Sequence, residues 1–125
     1  MIKSAKILLV DDEPNILVPI EFLMKQQGYE VRKAFSGQEA LDTLSGFIAD
    51  VVVLDVMMPG MDGFEVAKRI REHPDLQNTR ILFLTARGSE ADRDKGYSTG
   101  GEVYLTKPFD NDDLVQVVAE VLEFG

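Results

Sequence analysis

Five strand-sized runs recur along this chain, and four of them lead into a residue that can do chemistry. Asp11 and Asp12 follow Ile7-Leu8-Leu9-Val10, Asp55 follows Val51-Val52-Val53-Leu54, Thr85 follows Ile81-Leu82-Phe83-Leu84, and Lys107 follows Val103-Tyr104-Leu105 almost directly. Segments with helical periodicity separate the runs. Strands are expected over 6–10, 30–34, 51–55, 80–85 and 103–106, and helices over 14–27, 37–45, 63–72, 89–99 and 111–123. Short connections between them favour an α/β fold whose parallel sheet is covered on both faces. In an open parallel sheet all strands end on one edge, so residues spread over about a hundred positions converge there. Three carboxylates, a hydroxyl and an ammonium in one place suit divalent-metal and phosphoryl chemistry.

The composition narrows the options. At 125 residues the chain is expected to be one domain with a self-sufficient core. With no cysteine and one histidine, His73, thiolate chemistry and nitrogen-rich metal sites are excluded, so any metal would need oxygen ligands. The apolar runs are strand-sized and the first residues do not resemble a secretion signal, so no membrane insertion and a cytoplasmic location are expected. A net charge of −9 argues against direct binding of nucleic acid by this chain. Lys68, Arg69 and Arg71 form a local basic group, read as a solvated helix face.

Individual helices carry further detail. Pro14 near the start and Gly28 just past the end punctuate the first one, while Pro19 inside it removes a backbone hydrogen bond. Its apolar face is expected to hold Ile16, Ile20, Leu23 and Met24, with Leu17 at the margin and Val18 and Phe22 exposed on the far side. That exposed pair is either a docking surface for a partner helix or an ordinary pair of surface apolar residues. The last helix presents Leu114, Val117, Val118, Val121 and Leu122 on one face. The fourth offers only Ala91 and Tyr97 as apolar anchors and contains Gly96, so little burial holds it. It is the expected mobile element.

Asp11, Asp12 and Asp55 would repel one another, each pair at ~4 Å costing on the order of 4 kcal/mol at an effective dielectric near 20. Mg²⁺ would offset this, since it takes oxygen ligands and bridges carboxylates to phosphate, with Lys107 meeting the remaining charge. A plainer role for Asp12 and Glu13 is to cap the first helix. A carboxylate such as Asp55 can attack phosphorus to give an aspartyl phosphate when cations screen its approach. Asp62 is a plausible helix cap after the Pro59–Gly63 turn.

The stretches Lys6-Ile-Leu-Leu-Val-Asp-Asp-Glu-Pro14, Val53-Leu-Asp-Val-Met-Met-Pro-Gly-Met-Asp-Gly63, Leu84-Thr-Ala86 and Tyr104-Leu-Thr-Lys-Pro-Phe109 together resemble the receiver domain of two-component response regulators along the whole chain. The resemblance implies a doubly wound five-stranded parallel sheet in the order 2-1-3-4-5 with five helices. The alternation of runs alone does not give that order. It further implies that residues 1–125 are a single receiver domain without an effector domain, and that Asp55 accepts a phosphoryl group from a sensor histidine kinase or histidine phosphotransfer protein. Mg²⁺ would be held by Asp12, Asp55 and the Met57 backbone carbonyl, with Asp11 acting through water. Thr85 and Lys107 would contact the phosphoryl oxygens, and Tyr104 would swing inward as Thr85 moves, changing the surface formed by the fourth helix, fifth strand and fifth helix. The resemblance also places a cis peptide at Lys107-Pro108 and adds Pro108 to the docking pair Val18 and Phe22.

Such a domain catalyses its own modification and is not an enzyme acting on a separate substrate. Met57 and Arg87 fall where the family flanks the path of the hydrolytic water, which predicts slow autodephosphorylation. Gln116 to Gly125 lacks Lys and Arg, unlike regulators that pair through the last helix, so a monomer or weak homodimer is expected. The downstream effector is not specified. Two alternatives share the alternation. An aspartate-nucleophile phosphatase of the haloacid dehalogenase type would need a second Asp where Met57 stands. A flavodoxin-like FMN carrier would need a phosphate loop where Asp11-Asp12-Glu13 stands.

Overall fold

The computed structural model describes residues 4–86, 90–107 and 109–124, with the side chain of Phe124 left out. The chain alternates strand and helix as β1 Lys6–Val10, α1 Pro14–Gln26, β2 Glu30–Ala34, α2 Gly37–Leu44, β3 Val51–Leu54, α3 Gly63–Glu72, β4 Arg80–Thr85, α4 Glu90–Ser98, β5 Val103–Thr106 and α5 Asn111–Phe124. All strand pairings are parallel, in the order β2-β1-β3-β4-β5. The expected boundaries hold to within about two residues. A short 3-10 turn, Pro74–Leu76, was not foreseen; it opens with the His73 Nδ1 accepting the Asp75 N–H.

The period of two along each strand divides the interior into two cores. Ile7, Leu9, Val51, Val53, Leu82 and Leu84 face α1 and α5, which contribute Leu17, Ile20, Met24, Leu114, Val118 and Val121. Leu8, Val10, Val52, Leu54, Ile81 and Phe83 face the side of α2 and α3, with Leu44, Phe64, Val66 and Ile70. β1 and β3 are therefore buried on both faces, which is why they read as unbroken apolar runs. Each fully buried Leu, Val or Ile stabilises the fold by about 1.5–3 kcal/mol before entropy is counted.

Local punctuation explains the turns. Pro14 occupies the first turn of α1, and Gly28 follows its end at φ 90°, a left-handed conformation that favours glycine. Asp62 caps α3 through Oδ1 accepting the Glu65 N–H at 3.0 Å, as expected, and Ser36 caps α2 in the same way. Three readings need correction. Leu17 is at the centre of the buried stripe of α1, because 17, 20 and 24 follow the helical repeat and Leu23 falls to the half-buried flank. No side chain caps α1, so Asp12 and Glu13 do not act as its cap. Arg71 is not part of a solvated face: Nη1 donates to Thr79 O at 2.6 Å and Nη2 to Gly100 O at 2.8 Å, which ties α3 to the loop before β5.

α4 also departs from expectation. Ala91 and Tyr97 both face solvent, and Gly96 is the one residue of the helix that is buried. A Cβ at Gly96 would lie 2.7 Å from Tyr104 Cδ2 and 3.2 Å from Phe83 Cδ2. The helix thus seats on the sheet through its backbone. Ser89, at its expected start, lies outside the described residues.

Candidate functional site

The carboxyl-terminal edge of the sheet gathers the predicted residues. β1 delivers Asp11 and Asp12, β3 delivers Asp55 one residue past its end, β4 ends on Thr85, and Lys107 follows β5. One carboxylate oxygen from each of Asp11, Asp12 and Asp55 lies within 4.8 Å of the others. Asp11 and Asp55 are almost completely buried, while Asp12 is half-buried at the mouth.

Hydrogen bonds fix each carboxylate. Asp11 Oδ1 accepts the Glu13 N–H at 3.0 Å, and Asp55 Oδ1 accepts the Met57 N–H at 3.2 Å. Both are local loops folding back on the preceding side chain, which aims the second oxygen of each carboxylate into the pocket. Lys107 Nζ lies 3.4 Å from Asp11 Oδ2 and 3.6 Å from Asp55 Oδ2, so one ammonium serves both acids. Its own N–H donates to Thr85 O at 2.8 Å, which carries the strand pairing to the base of the lysine.

Burial raises Asp55 to about 6, and the charge of Asp11 pushes the same way. Lys107, the Met57 N–H and the Thr85 hydroxyl oppose that shift without cancelling it. One cation therefore leaves the three carboxylates under-neutralised. An all-oxygen donor set with excess negative charge, fixed by backbone N–H groups, fits a hard divalent cation. The site residues thus converge as the sequence implied, Asp11, Asp12, Asp55, Thr85 and Lys107 included.

Comparison with known proteins decides what class of site this is. Residues 7–119 match the response regulator receiver domain family. The chain belongs to that family. Response regulator Rre1 of Synechocystis is 37% identical over 98% of this chain and 53% of its own length. The phosphate regulon transcriptional regulatory protein PhoB of Rhizobium meliloti is 36% identical over 94% of this chain and 52% of its own. The receiver domain accordingly spans about half the length of these curated relatives. The chemotaxis protein CheY4 of Vibrio cholerae superposes with a TM-score of 0.90 at 35% identity, covering 95% of this chain and 99% of that one. The family match decides against the phosphatase and flavin-carrier readings and identifies the chain as a two-component response regulator receiver domain.

Other predicted residues of the receiver domain fall as follows. Val18 and Phe22 are exposed on α1, at 54% and 63%. Met57 is exposed beside Asp55. Tyr104 is buried, its ring 5.8 Å from that of Phe83 and against Gly96. Arg87 and Pro108 lie outside the described residues, and with them the Lys107-Pro108 peptide. Among the described residues no helix is long and apolar enough to cross a membrane.

Sequence reasoning missed Arg93. Its guanidinium donates to Thr106 Oγ1 at 2.7 Å and to Tyr104 O at 3.2 Å. The available signal was its spacing: Arg93 and Gly96 are three apart and share the face of α4 that meets β5.

Proposed function

We propose that this receiver domain is a switch driven by phosphorylation of Asp55, supplied by a phosphohistidine on a sensor histidine kinase or histidine phosphotransfer protein. The observation that carries this reading is the placement of Asp55 beside both Lys107 and the carboxylates of Asp11 and Asp12. At pH 7 Asp55, with its value near 6, is mostly ionised and retains nucleophilic electron density. Its free oxygen attacks phosphorus, the P–N bond breaks, and the imidazole leaves with the bonding pair. Lys107 screens the incoming phosphoryl charge and then holds one of its oxygens, while the buried Thr85 hydroxyl turns from the carboxylate to another. Hydrolysis of the acyl phosphate by water returns Asp55 and inorganic phosphate.

Asp12, Asp55 and the Met57 carbonyl would hold Mg²⁺, with Asp11 reaching it through water. When bound, that ion would offset the excess carboxylate charge that resists an incoming phosphoryl group. Val18 and Phe22 stand one and two turns into α1, which begins just after Asp11 and Asp12, and this position suits a partner bringing its histidine to Asp55. Phosphorylation would bias α4, β5 and α5 toward a second arrangement read by a downstream effector. The reading implies that the domain modifies itself and turns over no separate substrate, without insertion in a membrane or direct contact with nucleic acid, in the cytoplasm and as a monomer or weak homodimer.

Intact mass after incubation with acetyl phosphate, with and without Mg²⁺, tests this directly. A single phosphoryl adduct that requires both Mg²⁺ and Asp55, and is absent from Asp55→Asn, is expected. An adduct that persists in Asp55→Asn would overturn the assignment.

A further inference from the structure

β5 is the edge strand of the sheet and pairs on one side only, with β4. On the α4 side, Arg93 makes three contacts with it. Nη2 donates to Thr106 Oγ1 at 2.7 Å, Nη1 donates to Tyr104 O at 3.2 Å, and the guanidinium carbon lies 5.4 Å from the centroid of the Tyr104 ring. The planar fork satisfies both acceptors while standing over the ring, which a lysine cannot reproduce with a single ammonium. The rest of the Tyr104 box is a tilted Phe83 ring 5.8 Å away and the bare backbone of Gly96. Turning this ring outward would give up both ring contacts and open a void beside a residue with no side chain to fill it.

Ala91 and Tyr97 face solvent and the buried residue of α4 is a glycine; Lys95 Nζ stands 5.0 Å from the centroid of the Phe64 ring on the α3 side, while Arg93 ties the helix to β5. Thr106 directly precedes Lys107, so the same contacts brace the strand end from which the lysine reaches Asp11 and Asp55.

We propose that Arg93 is a latch that holds the Tyr104 ring inside the domain. The latch stands on the Arg93 geometry alone; its consequence for signalling rests on the switch reading above. Whatever arrangement of the site is linked to the inward ring is favoured by the Arg93 contacts, so losing them should weaken binding of a phosphoryl group at Asp55. Arg93 is thus a positioning residue, acting on the site through Tyr104 and Thr106.

The chain has three tyrosines, which makes the test direct. Protein labelled with 3-fluorotyrosine gives fluorine resonances assigned through Tyr29→Phe and Tyr97→Phe. In wild type the Tyr104 resonance is expected to be shielded from a dissolved nitroxide and to move little when Mg²⁺ and beryllofluoride, a phosphoryl mimic, are added. In Arg93→Ala it should broaden with nitroxide as the exposed Tyr97 does, and beryllofluoride should restore its shielding. Arg93→Lys should fall between the two. Beryllofluoride affinity should drop by roughly fivefold in Arg93→Ala, at the low end of typical coupling, with Mg²⁺ affinity unchanged. Arg93→Gln serves for the same comparison if the alanine variant does not fold.

Equal shielding of Tyr104 in wild type and variant would overturn the latch, even if the melting temperature fell. Failure of wild type to bind beryllofluoride would count instead against the switch reading, and the nitroxide comparison would still decide the role of Arg93.

Discussion

The Lys107 ammonium stands 3.4 Å from Oδ2 of Asp11, joining residues 96 positions apart in sequence. This contact limits the repulsion between Asp11 and Asp55 without removing it, because burial and the Asp11 charge still hold Asp55 up at about 6. The fold thus maintains a charged pocket that is under tension when no cation or phosphoryl group relieves it.

Replacing Asp55 should therefore stabilise the domain in the absence of divalent metal. Asp55→Asn is expected to gain on the order of 1 kcal/mol at pH 7, about 4 °C in melting temperature, the like-charge cost being moderated by solvent at the mouth of the pocket. The pH dependence has a definite sign. Asp55 binds its proton more tightly folded, near 6, than unfolded, near 3.8, so wild type gains stability from this group as pH falls through that window. The advantage of Asp55→Asn should shrink from pH 7 to pH 4, as measured by paired thermal melts. An advantage that stays constant would show that Asp55 does not titrate as described.

Mg²⁺ should raise the melting temperature of wild type. At a concentration one hundred times Kd the gain is about 2.7 kcal/mol. Asp12→Ala removes a carboxylate from the mouth without touching the hydrogen bonds of Asp11 and Asp55, and is expected to abolish most of that shift. Ca²⁺, larger and more tolerant of coordination geometry, provides the control for nonspecific screening. An unchanged response in Asp12→Ala would remove Asp12 from the ligand set.

Gly63 supports the loop that carries Asp55. A Cβ there would collide with the backbone oxygen of Asp55 and come within 2.8 Å of the Val56 Cα. Backbone cannot yield as a side-chain tip can, so Gly63→Ala should cost about 1–3 kcal/mol in denaturant unfolding despite its better helix propensity. It should also slow phosphorylation by acetyl phosphate, because the collision falls on the acceptor residue itself. Normal stability would mean that the start of α3 can shift away from β3.

The lifetime of the phosphoryl group is expected to be long. Met57 is exposed next to Asp55, and its thioether can crowd a water approaching the acyl phosphate. A Met57→Asn, Arg87→Glu double variant should lose its adduct several times faster, followed by intact mass after removal of the donor. A half-life no shorter than wild type would refute this assignment.

The sheet and the cluster of carboxylates and Lys107 at its edge were legible because they depend on patterns that single residues carry. Val51 to Leu54 is apolar at every position because both faces are covered, and Asp55 marks where the strand leaves the core. The turns at Pro14, Gly28 and Asp62 follow from backbone preferences that hold in any context. What escaped depends on partners distant in sequence. Arg71 looks like any helix-surface cation until Thr79 O and Gly100 O are brought beside it. Arg93 meets β5 only through tertiary structure, and the weak apolar pattern of α4 concealed that its contact is made by Gly96. The inward position of Tyr104 depends on Phe83, Gly96 and Arg93 from other elements, so residue type alone could not select it.

The glycine seat of α4 has a consequence for how such a domain diversifies. A helix whose buried residue is a glycine has no apolar stripe to preserve, so exposed positions such as Glu90, Ala91, Asp94 and Ser98 can change at little cost to the core. The constraint falls on the inner side instead: any side chain at Gly96 would meet the Tyr104 and Phe83 rings, so variation in this helix is confined to the face that looks outward.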